Sequence, residues 1–76
     1  MSYNSKTLGV VISRLRTERG LSQEKFSGLV GISRSHLTMI ENGKKTVRLD
    51  TLWRLADALE IKPSQLVAMI ESANNN

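Results

Sequence analysis

The stretch SQEKFSGLVGISRSHLTMIEN, residues 22–42, decides how this chain folds. It reads as two short helices joined by a tight turn. Ser22 is a strong N-cap, Glu24 suits the positive end of a helix dipole, and Leu21 can staple onto Phe26. Lys25 stands where a capping box would place Glu or Gln, so that reinforcement is missing. Phe26, Leu29 and Val30 form a short apolar face, and Gly31 supplies the left-handed residue that ends it. Only Ile32 separates Gly31 from a second cap, Ser33, and Ile32 can staple onto Leu37. The next helix runs from Arg34 to about Asn42, with Leu37 and Ile40 inward and Gly43 as its stop. Two helices this short, joined so tightly, must cross steeply, which is the helix-turn-helix unit.

Working outward, the apolar residues keep a helical period and no stretch alternates as a strand would. Leu8, Val11, Ile12 and Leu15 define a first helix capped by Asn4 or Ser5 and stopped at Gly20. Leu52, Leu55, Ala56 and Leu59 define a fourth. Pro63 fits the first turn of a fifth, over 63–71, carrying Leu66, Val67, Met69 and Ile70, with 72–76 expected to be a frayed tail. The expectation is a single all-α, five-helix domain using residues 1–76.

Composition narrows the function. The chain has 76 residues and no cysteine, which excludes a disulfide framework and a thiolate metal site and fits a reducing cytoplasm. No apolar run approaches the roughly 20 residues that cross a bilayer, and the polar start has no signal-peptide core. Net charge is +4, unevenly spread: nine basic and three acidic residues through Arg48 leave +6 there, against −2 from Leu49 onward. One end is suited to a polyanion and the other is not. There is no glycine-rich phosphate loop, no cysteine nucleophile, and one histidine with no evident catalytic or metal-binding companion. The chain reads as no enzyme, with no cofactor, metal or small-molecule ligand.

Leu37 and Ile40 define the buried side of the third helix. At about 100° per residue, the opposite side carries Ser35, Thr38, Met39 and Asn42, with Arg34 at its edge and His36 on the border of the core. Arg34 can make a bidentate contact to guanine, Ser35 and Thr38 can donate or accept, and Met39 can pack on a thymine methyl. Arg34, Ser35 and Met39 are the foremost base-reading candidates; the alternative is an ordinary solvated face. Gln23 at the start of the second helix is either a phosphate contact or an ordinary solvated first-turn residue. Ser33 serves as a cap with a phosphate contact in addition, and Asn42, Lys44, Lys45 and Arg48 form a second phosphate clamp beyond the third helix. Arg14 and Arg16 either assist or simply form a solvated face.

The fifth helix is more apolar than one face of a small bundle requires. Val67, Met69 and Ile70, bordered by Val47, either enlarge the core or form a self-complementary patch on a two-fold axis. Trp53 either borders that patch or covers the core.

The motifs Leu21-Ser22-Gln23-Glu24, the small Ser27, Gly31-Ile32-Ser33, Ile40-Glu41-Asn42-Gly43 and Leu52…Leu55-Ala56…Leu59 together resemble the Cro/lambda-repressor, or XRE, type of helix-turn-helix regulator. The resemblance covers about Leu8 to Ile70. It implies a homodimer on a pseudo-palindromic double-stranded DNA operator, with Gln23 on the DNA backbone. It also implies base-reading positions at Arg34, Ser35 and Met39, with His36 and Thr38 beside them, and a structural pairing of Glu41 with Arg16 or Arg14. Two departures stand out. Val47-Arg48-Leu49 replaces the family's usual Ser or Thr cap before the fourth helix, and Arg34 and Met39 stand where glutamine is frequent. Arg34-Ser35-His36-Leu37-Thr38 and the short length look like controller proteins of restriction–modification systems. The competing readings are a phage or plasmid repressor and an antitoxin-type adaptor working through protein contacts. RNA polymerase is a further partner compatible with a controller.

Overall fold

The computed structural model describes residues 3–74. Among them are five helices: α1 (Ser5–Glu18), α2 (Gln23–Val30), α3 (Arg34–Glu41), α4 (Leu49–Ala58) and α5 (Pro63–Asn74). α3 packs between α1 and α2, α4 leans on α2 and α5, and α5 closes the bundle against α1. Each helix contributes an apolar stripe to one core, formed by Leu8, Val11, Ile12, Phe26, Val30, Leu37, Ile40, Leu55, Ala56, Leu59, Leu66 and Ile70. No described helix is long and apolar enough to cross a membrane.

The starts of the first three helices follow their caps. The side chains of Asn4, Ser22 and Ser33 accept from the backbone N–H groups of Lys6, Lys25 and His36. α4 is preceded at its cap position by Arg48, whose side chain makes no capping bond. At α5 the Gln65 side chain accepts the Lys62 N–H at 2.8 Å, half of a capping box, just ahead of Pro63.

The first four helices end in one way. After α2, Gly31 turns left-handed at φ 87°, and the Ile32 N–H closes back onto the Ser27 carbonyl at 3.0 Å. That bond satisfies an otherwise orphaned carbonyl and turns Ile32 toward the core. Gly20 and Gly43 do the same after α1 and α3. After α4 the left-handed residue is Glu60, at φ 59°, with Ile61 N–H on Ala56 O at 3.0 Å. A side chain there carries a conformational penalty that glycine would not.

Two expectations change. Leu29 is 58% exposed, because α2 turns Phe26, Ser27 and Val30 inward and Leu29 falls roughly at a right angle to that direction. α5 extends to Asn74, so Ser72, Ala73 and Asn74 are helical rather than frayed, while Asn75 and Asn76 lie outside the described residues.

Gly9 governs how closely α1 and α3 approach. A Cβ at this position would meet the backbone oxygens of Ile40 and Glu41 at 2.5 Å, with backbone on both sides and nothing free to move. Gly9→Ala should therefore destabilise the fold by about 1–3 kcal/mol through overpacking. Thermal unfolding followed by circular dichroism reads this, and an unchanged Tm would show that the two helices can separate freely.

Candidate nucleic-acid interface

The second and third helices place one face of α3 outward because its other face is buried. Leu37 and Ile40 are fully enclosed, whereas Arg34 and Ser35 are exposed and Met39 is 40% exposed. These three side chains share the outer surface of α3. His36 is half-buried on the border, as its angular position requires. The Ser33 hydroxyl is engaged in capping α3, accepting from the His36 N–H at 3.0 Å. Asn42 is the exposed residue that ends α3, and Lys44 and Lys45 follow it, both exposed. Arg48 stands at the start of α4, almost wholly in solvent, within 3.5 Å of Asp50. An exposed pair of this kind contributes little and leaves the guanidinium available.

A buried polar network runs behind this surface. Arg16 grips Glu41 bidentately, Nε to Oε2 at 2.7 Å and Nη2 to Oε1 at 3.1 Å, and its Nη1 donates to the Leu21 carbonyl at 2.7 Å. The Gln23 amide donates to Glu41 Oε1 at 2.9 Å. The Thr38 hydroxyl lies 3.3 Å from Gln23 Oε1 and 3.0 Å from the Arg34 carbonyl. The side chains of Arg16 and Glu41 are only 11% and 5% exposed. No buried side-chain polar atom among the described residues lacks a partner, as a buried charge pair requires. Of the two arginines open to pairing with Glu41, the structure thus selects Arg16; Arg14 instead sits 4.0 Å from Glu18 on the surface of α1.

The network alters what two site candidates have on offer. Gln23, expected at the DNA backbone, is half-buried, and its amide is tied to Glu41 and Thr38. Thr38 lies on the outward half of α3 yet turns its hydroxyl inward. Neither arrangement has a local sequence signal, since the partners are 15 and 18 residues apart.

The apolar candidates on α5 separate. Val67 is 39% exposed and lines a shallow groove with Val47, Leu49, Leu52 and Tyr3, floored by Leu8 and Ile70. Ile70 belongs to the core and shows only an edge. Met69 is half-buried against the core and does not line the groove, because it sits two residues beyond Val67 on the helix. Trp53 is exposed on α4 and does not line this groove; it lines the neighbouring surface with Arg48, Asp50 and Leu49, the last being common to both. Tyr3 and Leu49, which sequence reasoning did not assign here, complete the groove's rim. Partial burial pushes the Tyr3 phenol above its ordinary pKa, and a hydrogen bond with the Val47 backbone partly offsets this.

A clamped helix-turn-helix, with one face of its second helix open and a basic loop after it, defines a DNA-binding regulator. The comparisons agree. The chain belongs to the helix-turn-helix family HTH_3, which matches residues 12–66, and is a transcription regulator of that class rather than an enzyme. The uncharacterized helix-turn-helix transcriptional regulator y4dJ of Sinorhizobium fredii is 37% identical over 62 residues, 82% of this chain and 80% of the relative. The control protein C.MunI of a Mycoplasma species is 38% identical over 64 residues, 83% of this chain and 86% of that protein. The crystal structure of the restriction–modification controller protein C.AhdI from Aeromonas hydrophila superimposes with a TM-score of 0.78 at 39% identity. The match covers 82% of this chain and 94% of that one.

Arg16→Met should leave Glu41 buried without its counter-charge and cost about 3–5 kcal/mol. Arg14→Met, removing only an exposed pair, should change stability by less than about 1 kcal/mol. Urea denaturation of the two variants tests the contrast, and equal midpoints would remove the network from any structural role.

Proposed function

We propose that the chain is a sequence-specific regulator that binds double-stranded DNA as a homodimer on a pseudo-palindromic operator, in the manner of a restriction–modification controller protein. The observation that carries this reading is the outer face of α3, where Arg34, Ser35 and Met39 project from a helix whose opposite side is locked in the core. Arg34 reads guanine through its O6 and N7, Ser35 supplies a hydroxyl, and Met39 packs on a thymine methyl, with His36 beside them. Backbone phosphates are held at the start of α2 by Gln23, around Ser33, and by Asn42, Lys44, Lys45 and Arg48. The controller role is favoured by the 38% and 39% identities to C.MunI and C.AhdI, which are named as control and controller proteins. Its setting is the cytoplasm, and an activating role would add a contact with RNA polymerase.

The second copy docks on the groove of Val67 and Val47, with Leu49 and Tyr3 at its rim and Ile70 beneath. Met69, packed against the core beside it, supports this surface from the core side. Pairing of two copies would set the recognition helices about 34 Å apart, one turn of B-DNA.

Two experiments test these statements. Arg34→Ala should lose about 1–3 kcal/mol of specific affinity and relax preference at one base step, whereas Lys45→Ala should weaken all sequences alike. Gel shifts across a salt series on DNA selected from a random pool measure both. Binding that barely responds to salt would overturn the DNA reading in favour of a protein-binding adaptor. For assembly, Val67→Glu should convert a dimer to a monomer in sedimentation while keeping its helical circular dichroism. A wild-type protein that stays monomeric at high concentration would contradict the two-fold arrangement.

A further inference from the structure

We infer that Thr38 is a positioning residue for the DNA-backbone grip of Gln23 rather than a reader of bases, an inference that rests on the function proposed above. A glutamine amide presents two N–H donors and one carbonyl, and a threonine hydroxyl has one proton. Glu41, held ionically by Arg16, takes one Gln23 N–H at 2.9 Å. That contact fixes which end of the amide faces which neighbour, because the reversed amide would set its oxygen against a buried carboxylate. Gln23 Oε1 is thereby directed at Thr38, 3.3 Å away. The single Thr38 proton is shared between that oxygen and the Arg34 carbonyl at 3.0 Å. Thr38 has no proton left to donate to guanine O6 or thymine O4, although its face of α3 is the outward one.

What the arrangement leaves over is the second N–H of Gln23, which has no partner among the described residues. It stands at the first residue of α2, where backbone N–H groups and the helix dipole already favour an anion. Arg16, Glu41, Gln23 and Thr38 thus form a relay that begins on α1, crosses the end of α3, and orients a donor at the start of α2. Lys44 and Lys45, exposed beyond α3, have no such constraint. Among the long side chains expected at the phosphates, Gln23 is the one whose direction is set by buried partners before DNA arrives.

A double-mutant cycle on DNA affinity tests the relay, with thermal unfolding of every variant confirming the fold. Thr38→Val, which keeps shape and removes the hydroxyl, should weaken binding about three- to tenfold, equally for cognate and substituted sites. Thr38→Ser, which retains the proton, should recover most of that loss. In a Gln23→Ala background Thr38→Val should have almost no effect, because the group it orients is gone. The inference is overturned if Thr38→Val relaxes preference at one base step, as a base reader would, or if it loses the same factor with and without Gln23. Wild-type protein that shows no salt-dependent DNA binding would instead sink the functional reading itself, and this inference with it.

Discussion

The contact between Arg16 and Glu41 is the constraint on which the recognition surface depends. Taking both charges out of water is expensive, and the bidentate geometry, the Leu21 carbonyl and the Gln23 amide together offset that expense. Two well-packed apolar residues could hold the same helices together with similar stability. They could not orient a polar side chain at the start of α2. The pair therefore acts through direction: it ties the end of α3 to α1 and to the entry of α2. Gly9 complements it on the same residue, since α1 meets Glu41 twice, through its side chain at Arg16 and its backbone oxygen beside Gly9.

Much of the fold was legible because its punctuation is local. Ser22, Ser33, Gly31 and Gly43 act through hydrogen bonds and backbone angles spanning a few residues, so their spacing alone placed α2 and α3. The paired arginine was narrower in the structure than in the sequence, where Arg14 and Arg16 are chemically identical and differ only in which side of α1 they occupy. Gly9 left no trace in the periodic pattern, because its reason is the backbone of a helix about thirty residues away. Glu60 was hidden for the opposite reason: it adopts the conformation that glycine usually marks.

The site was legible in its outline and less so in its orientation. Helical periodicity placed Arg34, Ser35 and Met39 outward, and the structure exposes all three. It also placed Thr38 outward by angle, but an angle says nothing about where a hydroxyl proton goes. The same limit applies to α5, where Val67 and Met69 look alike in a list of apolar residues and only their neighbours separate groove from core. Charge told a cruder story that the elements respect, with the basic residues gathered on α1 to the loop before α4 and the acidic excess on α4 and α5.

The division of α3 into a locked side and an open side has a consequence for inheritance. Leu37, Ile40 and Glu41 carry the attachments of this helix, while Arg34, Ser35 and Met39 carry none of the core. Changes at the three outer positions leave the attachments of Leu37, Ile40 and Glu41 in place, so they alter what the surface meets with little effect on whether the chain folds. On the proposed reading, a lineage of such proteins can move from one DNA sequence to another through single substitutions at this outer surface, at little cost to the fold.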